Sequence, residues 1–394
     1  MTGRPRKPLR TALTALLLLS AALGATEIWL RNGAKPLSVV CSQADLPLQS
    51  LLRPSDSCHH TLRAAADQVI LTASGKIRVK TSSLGCRGEE PEPEPGSGTY
   101  RILMLGDDVL FGANVIEERT VPARLQQFLS KKTSRTLEVI NGGVPGYCPL
   151  LSYLQYEHQL KVLKPQLVIL HVDMSDPDDD SVYRSLLKKD RDKDELTCQH
   201  PSLRVPQKPL PGIVDLLKGS ALVNRALECL RQDVPGMMAL PCHSSGQHRY
   251  HWIADYPEDL RLQVDHSLSP ILQLRDAVEA SGAHLLVTTC PVLWQVSDGT
   301  TAPKLTQSCE VRGKAPFRSR FPFEILKAYC EREDIRFLDT SKEFMTREDS
   351  EKLFSSDCPT LSSLGMALYA KTISDFLLEN PPARWQTTRR EQER

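Results

Sequence analysis

The sequence predicts an α/β protein: a doubly wound parallel sheet with a central insertion, preceded by an N-terminal membrane segment. Three observations predict it. Short apolar runs bounded by glycine or proline recur from Tyr100 onward, as strands buried on both faces of a parallel sheet do. Longer segments with apolar residues at helical spacing separate them. The alternation also lapses in mid-chain and then resumes, which marks an insertion.

In chain order, residues 1–35 come first. "MTGRPRKPLR" carries Arg4, Arg6, Lys7 and Arg10, and "TALTALLLLSAALGAT" then runs without charge until Glu27. A basic flank before an apolar run marks an export signal or a signal-anchor. As a helix this run would span roughly 24 Å at about 1.5 Å per residue, a little short of a hydrocarbon core of about 30 Å. "AALGAT" offers small residues for cleavage, and "IWL" extends the apolar segment past Glu27. The body is therefore expected to be exported, either held by a single N-terminal span or secreted or periplasmic after cleavage.

Residues 36–98 read as irregular, with short strands at "QVILTAS" and "KIRVKT", ending in the solvated Pro/Glu/Gly linker "RGEEPEPEPGSG". A domain over 99–380 follows. Its strands are "RILMLG", "LEVIN", "QLVILHVDM", "AHLLVTTCP" and "IRFLDTS". Its helices are "VPARLQQFLSKK", "LLSYLQYEHQLKVLKP", "LSPILQLRDAVEASG", "PFEILKAYCERED" and "SLGMALYAKTISDFLLEN". Residues 177–255 interrupt the rhythm: "DPDDDSVYRSLLKKDRDKDE" reads as a solvated face or loop, and "IVDLLKGSALVNRALECL" as a helix in a cap. Residues 381–394 read as a charged tail.

With 49 basic and 48 acidic side chains, the formal charge of +1 gives no general attraction to nucleic acid or anionic membranes. Membrane contact is expected through the N-terminal segment only. Eleven cysteines suit an exported chain with a few disulfides. Their odd number leaves at least one thiol unpaired within the chain, and the absence of a CxxC motif argues against a zinc ribbon. Cys198, Cys229 and Cys242 share one segment and are candidates for local pairing.

Four loops fall at the strand ends or before the last helix: "GDDVLFG" (106–112), "NGGVPGY" (141–147), "DMSDPDDD" (173–180) and "DCPTLSSLG" (357–365). In this order and spacing the set resembles the SGNH/GDSL hydrolase superfamily, the flavodoxin-like esterases and acetylhydrolases. The resemblance covers about 100–378, and "TSSLGCRG" (81–88) is similar to a segment that precedes the domain in exported bacterial members. It implies a flavodoxin-like sheet, ester chemistry and no cofactor. It also implies a site in which a serine attacks the ester, a histidine takes its proton, and an aspartate three residues earlier orients that histidine. The serine amide, a glycine amide and an asparagine side chain hold the oxyanion.

Carried over residue by residue, the glycine is Gly146 and the aspartate is Asp357. Asp108 stands in the serine position, Ser175 in the asparagine position and Thr360 in the histidine position, while Asp173 replaces a glycine. Asp107, Asn141, Asp173 and Asp176 complete the side chains expected about a ligand. Losing one triad member costs on the order of a million-fold in rate. A carboxylate at position 108 further opposes an oxyanion, so a degenerate site that binds or scaffolds is expected. The resemblance points to a glycan or acylated polymer as ligand, because many relatives deacetylate such substrates.

Two alternatives remain. One is an active hydrolase with a relocated base, for which His171, His243, His248, His251 and His284 are candidates and His171, at a strand end, the best placed. The other is an acidic cation site made by Asp107, Asp108, Asp173 and Asp176. Cys148, Cys290 and Cys358 fall in or near the same loops, and Trp252 and Trp294 are either pocket walls or core.

Overall fold

The computed structural model describes residues 48–72, 75–190, 195–203, 258–296, 320–355, 360–382 and 385. The chain divides into two units, Met1–Ala44 with Val205–Met238, and Asp45–Arg204 with Ala239–Arg394. The first lies outside the described residues, so all that follows concerns the second. The expected signal or anchor over 1–35 and the expected helix "IVDLLKGSALVNRALECL" are likewise outside. Among the described residues no helix is long and apolar enough to cross a membrane.

Two antiparallel hairpins come first, β1 (Leu52–Pro54) with β2 (His60–Leu62) and β3 (Asp67–Thr72) with β4 (Gly75–Lys80). The Pro/Glu/Gly stretch is largely exposed, as a linker should be, yet it is tied down. The buried Arg101 guanidinium donates to the Glu92 carbonyl at 2.5 Å, and Lys164 pairs with Glu94.

The α/β body then runs β5 (Tyr100–Leu105), α1 (Asp108–Phe111), α2 (Val121–Ser130), β6 (Leu137–Asn141), α3 (Pro149–Gln155), β7 (Leu167–His171) and α4 (Asp176–Arg184). A short antiparallel pair, β8 (Leu187–Asp190) and β9 (Glu195–Cys198), follows. The rest is α5 (Glu258–Ala280), β10 (His284–Thr289), α6 (Leu293–Val296), α7 (Phe321–Arg332), β11 (Arg336–Asp339), α8 (Ser341–Met345) and α9 (Ser363–Glu379). Five strands form one parallel sheet in the order β6-β5-β7-β10-β11. Counted along the chain this is the 2-1-3-4-5 order of flavodoxin-like sheets, whose switch point lies between the first and third strands, here β5 and β7.

Side-chain alternation explains why both faces are covered. Leu103, Leu105, Val168, Leu170, Leu285 and Val287 face a layer formed by α5 (Val264, Leu268, Ile271, Leu274, Val278) and α7 (Phe323, Leu326, Tyr329). Ile102, Met104, Leu167, Ile169 and Leu286 face α2 (Val121, Leu125, Leu129) and α9 (Met366, Tyr369, Ile373, Leu377). Each helix presents its apolar residues three or four apart, the spacing of one helical face.

Three elements differ from expectation. The helix expected over 150–165 is α3 followed by a π-turn (Tyr156–Leu160) and a 3-10 turn (Lys161–Leu163), ending with Lys164 at φ 50° before Pro165. A residue before proline disfavours the α region, which fixes that stop. The acidic run expected to be a solvated face or loop begins with α4, whose Asp176, Asp179 and Asp180 are buried. Helix α5 starts at Glu258, almost three turns before the expected start at Leu268. Trp385, assigned to the charged tail, packs edge-on against Tyr100 with ring centroids 5.1 Å apart.

Candidate functional site

Parallel strands deliver the carboxyl ends of β5, β6 and β7 to one edge of the sheet, and three of the four expected loops leave from there. Each loop is tied to another. The Val144 amide donates to the Gly106 carbonyl at 2.9 Å, joining the first and second. The Asn114 Nδ2 donates to Thr360 Oγ1 at 2.9 Å, joining the segment after α1 to the fourth. The Tyr183 hydroxyl on α4 donates to the Gly146 carbonyl at 2.9 Å. The segment 81–88 braces this edge from outside. Arg87 is buried, and its guanidinium donates to the carbonyls of Phe111, Gly112 and Val115 and pairs with Glu117 at 2.9 Å. Burial pushes the Arg87 pKa down and that of Glu117 up, so desolvation opposes both charges and only their mutual attraction and hydrogen bonds offset it.

Asp108 is the first residue of α1 and half-buried, and Asp107 caps that helix by accepting from the Val109 amide at 3.0 Å. Asn141 spends both ends of its amide inside the protein: Nδ2 donates to the Leu110 carbonyl, and Oδ1 accepts from the Gly143 amide. It shapes the second loop, whereas the sequence placed it about a ligand. Gly143 sits so close to α1 that a Cβ would lie 2.4 Å from the Phe111 nitrogen. Gly146 is buried with φ 74°, a left-handed conformation open to glycine at no steric cost. Ser175 Oγ donates to Asp179 Oδ2 at 3.4 Å, and its amide donates to Asp173 Oδ1 at 2.6 Å. Asp357 and Cys358 lie outside the described residues.

His171, the last residue of β7, brings an imidazole to this edge. Thr288 Oγ1 donates to the Leu170 carbonyl, Tyr369 Oη donates to Thr288 Oγ1 at 2.7 Å, and Tyr369 Oη lies 2.7 Å from His171 Nδ1. With its own proton given to Thr288, the tyrosine oxygen accepts from Nδ1–H. The neutral ring therefore carries its lone pair on Nε2. That atom is buried without a hydrogen-bond partner, 3.9 Å from Asp107 Oδ1. Burial pushes the His171 pKa down to about 4, partly opposed by Asp173. Asp107, His171 and Asp173 each offer a ligand atom within 4.8 Å of the others, and all three are buried. Asp176 is buried beside them; its Oδ2 accepts from the Asp173 amide at 2.8 Å, and its Oδ1 has no partner. Burial, reinforced by Asp173 and Asp107, holds the Asp176 carboxyl well above the usual carboxylate range.

Of the four carboxylates grouped in the sequence as a cation site, the structure brings Asp107 and Asp173 together with His171; Asp108 and Asp176 are not part of that triplet. His284 begins β10 and so lies at the opposite, amino end of the sheet. His243, His248, His251 and Trp252 are outside the described residues, as are Cys229 and Cys242. Cys148 and Cys290 are buried free thiols with pKa values raised by desolvation, and Trp294 is fully buried core. Cys198 is buried, paired with Cys58 in an isolated parallel β-bridge, and its Sγ lies 3.6 Å from the Tyr183 carbonyl. Sequence reasoning missed Tyr369, Thr288, Asn114 and Arg87. Only Arg87 carried a signal, a lone cation within the segment 81–88.

No protein-family model matches the chain, and no curated protein sequence does. Among solved structures the chain is similar to a GDSL-like lipase from Bacteroides thetaiotaomicron VPI-5482, with 11% identity and a TM-score of 0.35, covering 71% of this chain and 88% of that one. It is also similar to a catalytic mutant of the acetylxylan esterase Axe2 from Geobacillus stearothermophilus, with 12% identity and a TM-score of 0.36, covering 73% of this chain and 95% of that one.

Proposed function

We propose that this chain is an exported SGNH-like domain whose ester-cleaving machinery has decayed, and which serves as a binding or scaffolding module for a glycan or acylated polymer. One observation carries the reading. The hydroxyl of Thr360, at the position of the general base, accepts a hydrogen bond from Asn114, and a threonine has no group able to take a proton near neutral pH. The rest supports it. Asp108 replaces the nucleophile with an anion where an oxyanion would form. Ser175 is turned to Asp179, and among the described residues no serine hydroxyl hydrogen-bonds to His171. With Nδ1 held by Tyr369, the available Nε2 of His171 lies 3.9 Å from Asp107 Oδ1 and bonds to no hydroxyl among the described residues. The proposed ligand class follows from the resemblance and matches the substrate named for the Geobacillus neighbour, acetylxylan. The N-terminal segment is proposed to deliver the domain across a membrane, as a cleaved signal or as an anchor.

Incubation of the purified full chain with a fluorophosphonate probe, alongside titration with acetylated xylo-oligosaccharides, tests both halves. The reading expects no labelling and saturable binding of the oligosaccharide. Labelling that disappears on substitution of a single serine contradicts it.

A further inference from the structure

We propose that Asp107, His171 and Asp173 form a binding site for one divalent transition-metal ion, Zn2+ or Mn2+ in class, at the switch point between β5 and β7. The inference stands on these three side chains and is independent of whether the ester site has decayed. Three facts of the structure meet here. The ligand atoms converge within 4.8 Å of one another in a buried setting. Nε2 of His171 presents a lone pair to Asp107 Oδ1 across 3.9 Å with no hydrogen bond of its own. Among the described residues, no lysine or arginine pairs with Asp173 or Asp176.

A lone pair facing carboxylates in a dry cavity is repulsive, and buried charges persist when they are paired or coordinate a metal. A cation between these atoms reverses the sign of each contact. The His171–Asp107 distance fits with small closure, and the triplet as a whole spans no more than 4.8 Å. Ligand bonds of about 2.1 Å in a tetrahedron place donor atoms about 3.4 Å apart, roughly half an ångström inside the His171–Asp107 separation. Each donor is held from behind, as metal ligands usually are. Tyr369 fixes the His171 tautomer, the Val109 amide holds Asp107, and the Ser175 amide holds Asp173. Gly106 admits this approach, since a Cβ there would meet the His171 Cβ at 3.0 Å. One imidazole with two carboxylates selects a first-row transition ion over Ca2+ or Mg2+, which take oxygen donors. Three protein donors leave at least one coordination position open to water or to an oxygen of a ligand.

The experiment uses the full chain, stripped with a chelator and returned to metal-free buffer. Zn2+ and Mn2+ are then titrated by calorimetry, with thermal melts in parallel. The expected result is one ion per chain, and a rise in Tm of roughly 5 °C at a hundredfold excess over Kd. Asp173→Asn, which keeps shape and removes charge, and His171→Gln should each weaken binding by about a hundredfold or more. Circular dichroism checks that each variant is folded; if His171→Gln fails to fold, Asp173→Asn decides. Absence of binding by the folded unmodified chain overturns the proposal. So does binding of undiminished affinity in the folded Asp173→Asn variant, which would locate the ion elsewhere.

Discussion

His60 and Arg87 show how far single buried side chains determine the edge of the sheet. His60 Nε2 donates to the Pro145 carbonyl at 2.9 Å, and its Nδ1 is 2.8 Å from Nδ1 of His59. The rings of Tyr147, Tyr183 and His59 surround it, and burial, with a smaller effect from His200, pushes its pKa down to about 4. Since the unfolded chain binds this proton near pH 6.5 and the folded chain only near 4, stability falls as pH drops through that window. The full effect is about 3 kcal/mol. Urea titrations should therefore show His60→Gln losing about 2–3 kcal/mol less stability than the unmodified chain between pH 7 and pH 4. Arg87 differs in kind, because its fork satisfies three carbonyls and one carboxylate at once. Arg87→Ala should destabilise by about 3–5 kcal/mol in the same measurement, because three buried carbonyls lose their donor along with the salt bridge. Arg87→Lys should recover only part of it, since a point charge cannot span three carbonyls. Neither role was visible in the sequence. What surrounds each residue comes from segments far along the chain, just as Asn114 and Thr360 meet across 246 positions.

Among the elements, those with a strong apolar period were legible, and those defined by polar contacts were not. Strands β5, β6, β7, β10 and β11 and helices α2, α7 and α9 fall where their apolar spacing places them, because each buries that pattern against the sheet. Helix α4 was hidden by its own composition. Its aspartates are buried because Arg184 forks onto Asp180 at 2.7 and 2.9 Å and Ser175 donates to Asp179. Such partners leave no periodic trace. Four loops were recognisable as a set through their glycines and aspartates, yet their internal wiring through Asn141 and Asn114 was not. The second loop's approach to α1 has a direct consequence. A methyl at position 143 would lie 2.4 Å from the Phe111 nitrogen, which is backbone and cannot swing away. Gly143→Ala should cost about 2–4 kcal/mol in chemical denaturation, whereas an exposed alanine substitution should fall within about 0.5 kcal/mol.

Taken whole, the described part of the chain is a five-stranded parallel sheet in flavodoxin-like order, and on the proposed reading its site lacks the parts that move a proton. The strand order, the switch point between β5 and β7 and the ties among the loops are all present. By the resemblance the nucleophile and base positions hold Asp108 and Thr360, while His171 on this edge is held at Nδ1 by Tyr369. On the proposed reading such an arrangement binds without turning over. Reinstating the missing groups together, as Asp108→Ser, Ser175→Asn and Thr360→His, is expected to yield esterase activity if the loops still converge as their hydrogen bonds indicate. The most direct test needs no mutation: the rate at which the purified, unmodified full chain hydrolyses p-nitrophenyl acetate. A rate indistinguishable from buffer at every enzyme concentration is expected here. Saturable hydrolysis, proportional to protein and abolished by one serine or histidine substitution, would contradict the account.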